Sequence, residues 1–266
     1  MRIIDQIPLG GLFLLTTIFI LLAIEGGFRL GACLRARGKV ENEAPVATMV
    51  QSTLALVAFM VAFAFNVAAE RFNERRVLII EEANAIGTTY LRSDYLPDTN
   101  KKEVQDLLRK YLDLRLKLRP ESREQILAES EKVQDRLWAQ AAIVGKMNLG
   151  SPVIGLFINS LNETIDLQSK RVAAGLYSRI PENIWAALYL MVLLGMTATG
   201  YQAGKSGTRG WTVSIILTIS FSLVMLMIAD LDNPFEGFLK ANRKPLLDLQ
   251  QKIGRPSTET TNTQTK

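Results

Sequence analysis

Five residues between positions 52 and 66 combine types and spacing that suit an ion pathway through a membrane. Ser52, Phe59 and Asn66 are seven positions apart and fall nearly on one line of an α-helix, at about 100° per residue. Ala55 and Phe63 lie beside that line. A face with a hydroxyl, two rings and an amide is typical of a narrow pore with a hydrophobic constriction. The same face also fits rings packed between helices and an amide bonded across an interface, and both interpretations stay open.

A second candidate site is the turn that follows the last apolar segment of the chain. It contains Asp230, Asp232, Asn233, Pro234 and Phe235. As a structural turn, its carboxylates would accept backbone N–H bonds from the helix that follows. As a cation site, the two aspartates and the nearby Glu236 would be a thin ligand set for Ca²⁺, which takes roughly six to eight oxygens. The ligand count favours the structural role.

The composition limits the chemistry that the chain can perform. There is no histidine, and the single cysteine is Cys33. A disulfide within the chain, a His/Cys metal cage and a His-based nucleophile pair are therefore excluded. We expect no catalytic residues, no metal site and no cofactor, and a protein that is not an enzyme. The net charge of +5 suits a protein beside anionic lipid, and no basic stripe with interleaved aromatics indicates nucleic-acid binding.

The elements that must position these residues follow from the distribution of apolar residues. Four apolar segments, at 8–24, 44–69, 184–203 and 211–229, form one pair at each end of the chain. About 20 apolar residues span a bilayer as a helix. The charged middle shows helical spacing and no strand pattern. The prediction is an all-α polytopic membrane protein with four transmembrane helices and a helical cytoplasmic domain between the second and third.

The predicted boundaries divide the chain into five segments. They are 1–69 for transmembrane helices 1 and 2, 70–182 for the cytoplasmic domain, 183–229 for helices 3 and 4, 230–255 for the acidic turn and an amphipathic helix over 238–253, and 256–266 for a disordered tail. We expect a connector over 26–43, a second helix that continues to about Arg92, and domain helices over 101–118, 121–144 and 152–176. Small residues over 195–200 predict close approach of another helix.

Basic residues near the helix ends predict the orientation. With the N-terminus inside, ten basic residues lie on the inner side, against six for the opposite orientation. The ten are Arg2, Arg71, Arg75, Arg76, Lys170, Arg171, Arg179, Lys240, Arg243 and Lys244. The count predicts a multi-pass protein of the inner (plasma) membrane with both termini in the cytoplasm.

Five short stretches carry a resemblance to a known family. They are Ala69–Phe72 (AERF), Glu82–Arg92 (EANAIGTTYLR), Asp230–Asp232 (DLD), Asn233–Phe235 (NPF) and Pro245–Asp248 (PLLD). With the order of apolar segments, they resemble the bacterial bestrophin-like membrane proteins, a group of unassigned function, and more distantly the bestrophin anion channels. The resemblance extends over the whole chain.

The resemblance implies a homo-oligomer, a pentamer, whose second membrane helix lines an anion pore. Ala55, Phe59 and Phe63 match the four-residue spacing of the hydrophobic neck in bestrophins. The sequence departs from the bestrophins after Gly237, where Phe238-Leu239-Lys240 replaces an acidic run, and this argues against calcium control. The expected partners are membrane lipid, a permeant anion and further copies of the chain. The alternative is a membrane-anchored helical interaction or sensor module without a pore.

Overall fold

The computed structural model describes residues 7–38, 43–119, 121–176, 178–234, 237–239 and 241–254, and the regular elements of these ranges are helices. The α-helices are α1 Leu9–Ala36, α2 Glu43–Arg92, α3 Asp98–Lys117, α4 Arg123–Met147, α5 Pro152–Leu176, α6 Glu182–Ser206, α7 Trp211–Asp232 and α8 Lys244–Ile253. A 3₁₀ turn, Ser93–Tyr95, follows α2. The prediction of an all-α chain is confirmed for these ranges. Phe235 and the predicted tail at 256–266 lie outside them.

Four of these helices, α1, α2, α6 and α7, are long and apolar enough to cross a membrane, as predicted. The chain divides into two compact units. The first, called the membrane unit below, holds the described parts of Met1–Phe72 and Ser178–Leu239. The second, called the helical unit, holds those of Asn73–Tyr177 and Lys240–Lys266.

Residues from all four helices form the core of the membrane unit. Ile20 of α1, Val57 of α2, Met196 of α6 and Ile228 of α7 are fully buried in it. The outward faces of α1 and α7 are apolar as well, with residues such as Leu22 exposed. Helices that are apolar on the inner and outer faces alike are typical of membrane spans.

Backbone contact between α1 and α6 is set by two pairs of glycines four residues apart. A Cβ atom at Gly27 would lie 2.0 Å from the carbonyl oxygen of Thr197, and one at Gly31 would lie 2.3 Å from that of Tyr201. A Cβ at Gly200 would lie 2.0 Å from the carbonyl oxygen of Ile24. Only glycine permits this approach, so the predicted small-residue contact is confirmed at Gly200.

The prediction of a connector over 26–43 was wrong for its first part. Helix α1 continues to Ala36 because Gly27 and Gly31 pack against α6, and this packing outweighs the low helix propensity of glycine. The charged residues of this stretch are held on the helix, where Arg29 forms an i,i+4 ion pair with Glu25 at 2.8 Å. The second helix ends at Arg92, as predicted.

The core of the helical unit is built from the apolar stripes of its helices. Ile86 of α2, Leu108 of α3, Leu137 of α4, Phe157 of α5 and Leu246 of α8 are fully buried. Helix α5 begins as predicted, because the Ser151 hydroxyl accepts the N–H of Ile154 at 3.5 Å.

Several other predicted helix limits were displaced from those observed, including the start of α3, at Asp98 instead of Lys101, and the end of α7, at Asp232 instead of Ala229. Helix α4 continues to Met147 instead of Val144, and its last buried residue is Val144. Helix α6 continues to Ser206, where Gly207 ends it with a φ of +73°. Helix α8 begins at Lys244 instead of Phe238, since the N–H groups of Phe238 and Leu239 bond to the Asp230 carboxylate.

Candidate functional site

The five residues of the predicted pore face all lie on exposed positions of α2. Phe59 is 66% exposed and Phe63 is 58% exposed, and Ser52, Ala55 and Asn66 are exposed with them. The opposite face of the same helix is buried in the membrane unit through Val57, Val61, Ala64 and Ala68. Helix α2 therefore presents the whole candidate set away from its own core.

The polar residues of this face differ in their local bonding. The Ser52 hydroxyl donates to the carbonyl oxygen of Thr48 at 2.9 Å, a bond within one helix that masks its polarity. The Asn66 amide makes no side-chain hydrogen bond to any residue that the structure describes. An unbonded amide is costly in hydrocarbon, so its position requires water, an ion or a second chain beside it.

The outer faces of α1 and α7 provide a comparison. Leu14, Ile18 and Leu22 follow one another along the exposed side of α1, and Ile216 and Ile219 do so on α7. Side chains of this kind suit direct contact with lipid tails. On the α2 face, two exposed rings are followed by the Asn66 amide, and lipid contact does not explain this amide.

The carboxylate of Asp230 closes the turn after α7. Its Oδ1 atom accepts the N–H of Phe238 at 2.8 Å, and its Oδ2 atom accepts the N–H of Leu239 at 3.1 Å. Gly237, at φ +146°, lies against the same carboxylate, and a Cβ there would be 2.0 Å from Oδ1. Asp230 itself is buried.

Asp232 connects the end of α7 to the start of α6. Its Oδ1 atom accepts the N–H of Ile180 at 2.8 Å, and its Oδ2 atom lies 3.8 Å from Nε of Arg179. Asn233 then ends α7 through its N–H bond to Ala229 at 3.1 Å, and Pro234 follows. Among the described residues, no group of three or more His, Cys, Asp or Glu could hold a metal ion. The structural role of this turn stays our prediction, and these bonds support it.

The sequence analysis found helical spacing in the charged middle of the chain but missed a buried charged cluster there. Glu82 of α2 and Arg115 of α3 are 0% and 1% exposed and form an ion pair at 2.8 Å through Oε1 and Nε. Arg171 of α5 donates to the second oxygen of Glu82. We call these three residues the Glu82 cluster.

Polar side chains surround the Glu82 cluster. The hydroxyl of Tyr111 donates to Oε1 of Gln168 at 2.8 Å and lies 3.2 Å from Oε1 of Glu82. Gln134 of α4 donates to the same Gln168 oxygen at 3.0 Å. Burial lowers the pKa of Arg115, and it lowers the pKa of Arg171 to about 10, with a further contribution from the charge of Arg243. A pKa of about 10 leaves Arg171 charged at neutral pH.

The spacing of the apolar residues contains a signal for this cluster. Arg115 continues the buried line of Val104, Leu108 and Tyr111 along α3, at steps of three and four. Gln168 and Arg171 continue the line of Phe157, Leu161 and Thr164 along α5. A charged residue in register with an apolar stripe indicates a buried ion pair.

The fold and its apolar faces define the class of this molecule: an all-helical membrane protein with four candidate spans. The Bestrophin-like domain model matches residues 18–246, and the chain belongs to that family, as the sequence resemblance predicted. No curated protein sequence matches the chain significantly.

Solved structures of bestrophin homologues share the fold. A crystal structure of a point variant of a bacterial bestrophin homologue from Klebsiella pneumoniae has a TM-score of 0.65 and 19% identity, and the match covers 92% of this chain and 96% of that chain. Another crystal structure of a homologue from the same organism has a TM-score of 0.62 and 19% identity, with 91% and 94% covered. A second variant has a TM-score of 0.65 and 16% identity, with 91% and 96% covered.

Proposed function

We propose that this protein is an oligomeric, anion-selective ion channel of the inner membrane, in which α2 lines the pore. The observation that carries the proposal is the exposed face of α2, where Phe59 and Phe63 stand between Ser52 and Asn66. One helix cannot enclose a pore, so several copies, five by resemblance to the bestrophins, surround the axis. Anion selectivity also rests on that resemblance.

The two rings act as a hydrophobic neck in this proposal. Phe59 and Phe63 are one helical turn apart, so a ring of copies forms two stacked apolar constrictions. Water leaves such a constriction readily, and an ion meets a dewetting barrier there. Ser52 on one side and Asn66 on the other offer groups that hydrate an ion on entry and exit. Residues 70–182 form the cytoplasmic domain of this channel, and both termini lie in the cytoplasm.

Alanine substitutions at the neck test the proposal. Phe59→Ala and Phe63→Ala, alone and together, remove the barrier and are expected to raise basal conductance in planar bilayers, with the largest increase in the double variant. Asn66→Leu is expected to lower conductance because it removes a hydrating group. Reversal potentials in asymmetric salt measure whether anions carry the current.

The matched control is Leu22→Ala, since Leu22 is 65% exposed on α1 and stands outside the proposed pore. Its conductance should equal that of the unmodified protein. If the rings pack between helices instead, truncation leaves cavities that cost about 3–5 kcal/mol by the scale of soluble cores, and the oligomer fails to assemble. A stable double-alanine oligomer that shows no conductance at any salt or voltage tested would contradict the channel proposal. The membrane-anchored interaction module would then be the better proposal.

A further inference from the structure

We infer that the Glu82 cluster, together with Arg243 and Arg119, is a binding site for a phosphate-type oxyanion. The site lies in the helical unit alone and does not depend on the proposed channel. The positive and negative charges of the Glu82 cluster are unequal in number. Among the described residues, Glu82 is the one carboxylate that forms ion pairs with Arg115 and Arg171. Two buried guanidinium groups therefore share one negative charge.

Arg243 increases this excess of positive charge. Its Nη1 atom donates to the carbonyl oxygen of Leu116 at 3.1 Å, which places the guanidinium at the backbone next to Arg115. Arg243 has no carboxylate partner in the described part of the chain. Burial lowers the pKa of Arg243, and the positive charges of Arg115 and Arg119 lower it further. Arg119 follows Leu116, whose carbonyl oxygen Arg243 binds, by three residues.

An unpartnered donor lies within the same cluster. The side chain of Arg115 is only 1% exposed, and its buried Nη1 atom has no hydrogen-bond partner among the described residues. A buried charged donor without an acceptor carries a large desolvation cost. Both the missing acceptor and the missing negative charge are supplied by one anion.

The ligand class follows from the donors and from their access to solvent. Guanidinium groups present planar pairs of N–H donors that match the oxygens of phosphate and sulfate, and several of them favour a multivalent anion over chloride. Arg171 is 13% exposed, Arg243 is half-buried and Arg119 is exposed, so part of this group of arginines is open to solvent. The anion is either free phosphate or the phosphate of a lipid headgroup.

The experiment measures thermal unfolding of the full-length protein in detergent against inorganic phosphate, with chloride at equal ionic strength as reference. Saturable binding to the folded state should raise the melting temperature by about 3 °C or more at saturation, and chloride should not. Arg243→Gln should weaken phosphate affinity at least about tenfold while the ion pair of Glu82 with Arg115 stays in place. Arg119→Gln, at an exposed position, should weaken it less and serves if Arg243→Gln does not fold.

The control variant is Arg136→Gln, because Arg136 is an exposed arginine of the same unit, paired with Glu103 at 3.2 Å. It should retain the full phosphate shift. Nanodiscs with and without phosphatidic acid separate the sources: a shift from the lipid without one from free phosphate supports the site with a headgroup as ligand. No shift from either, or a rise that never saturates and is equal in all variants, as general salting-out produces, would overturn the inference.

Discussion

The two aspartates in the last turn of α7 show that one kind of side chain can act as a metal ligand or as a structural hydrogen-bond acceptor. In the structure, the carboxylates of Asp230 and Asp232 accept three backbone N–H groups, from Phe238, Leu239 and Ile180. An oxygen that accepts a backbone N–H keeps a lone pair for a cation. These three hydrogen bonds support the structural role, and a calcium titration tests whether the same oxygens also bind a cation.

Substituting Asp232 separates the two roles. Asp232→Ala removes the acceptor of the buried Ile180 N–H and the carboxylate near Arg179, and we expect a loss of about 1–3 kcal/mol in unfolding free energy. The loss should be equal in calcium and in a chelator. Asp135→Ala, at an exposed position of α4, should change stability by less than about 0.5 kcal/mol. A calcium-dependent rise in melting temperature that disappears in Asp232→Ala would contradict the structural role.

Helix α1 illustrates what packing adds to local preference. The charged residues after Ile24 predicted a connector over 26–43, yet α1 continues to Ala36. The cause is the close packing of α1 glycines against the α6 backbone and of α6 glycines against the α1 backbone. The local sequence of α1 does not reveal this packing. The charges stay on the helix because Glu25 forms ion pairs with both Arg29 and Arg209, the latter at 2.5 Å.

Adding one methyl group to this contact tests its importance. A Cβ atom at Gly200 would lie 2.0 Å from the carbonyl oxygen of Ile24 in α1. A Cβ atom at Gly26 would have no neighbouring side chain or helix within 4 Å. Gly200→Ala is therefore expected to cost about 1–3 kcal/mol and to lower the melting temperature of the purified protein. Gly26→Ala should leave stability unchanged or raise it by up to about 1 kcal/mol, since alanine is the better helix former. Equal melting temperatures for the two variants would exclude a tight α1–α6 contact.

Helical periodicity was a good guide where the apolar face meets a core of similar side chains. The end of α2 at Arg92 and the range of α5 agree with the predictions, because their apolar stripes are regular and Ser151-Pro152 marks the start of α5. Arg115 was missed because its burial depends on Glu82, which is 33 residues away on another helix. On the candidate pore face, spacing predicted which residues share a side, and exposure in a single chain agrees. In the proposed channel, that side faces neighbouring copies of the chain, and spacing within one helix contains no information on contacts between chains.

The length of α2 constrains the molecule as a whole. At 50 residues it is about 75 Å long, while the hydrocarbon core of a bilayer is about 30 Å thick. Its apolar part ends at Ala69, and Glu70 and Arg71 begin a charged stretch. The helix must therefore extend well beyond the membrane on the side where residues 73–92 lie. The ten-to-six excess of basic residues predicts that this side is the cytoplasm.

Cysteine labelling tests the orientation of the chain in the membrane. The sequence has one cysteine, Cys33, which is exposed and must be removed before new cysteines are introduced. In a Cys33→Ala background, Lys101→Cys marks α3 of the helical unit and Ser206→Cys marks the end of α6. With the N-terminus inside, α6 crosses outward, so a membrane-impermeant maleimide should label Ser206→Cys in intact spheroplasts. Lys101→Cys should react only after permeabilisation.

The Cys33→Ala parent should stay unlabelled in both conditions. Labelling of Lys101→Cys in intact spheroplasts would place the helical unit outside the cell and would reverse the direction in which the proposed pore faces the cytoplasm.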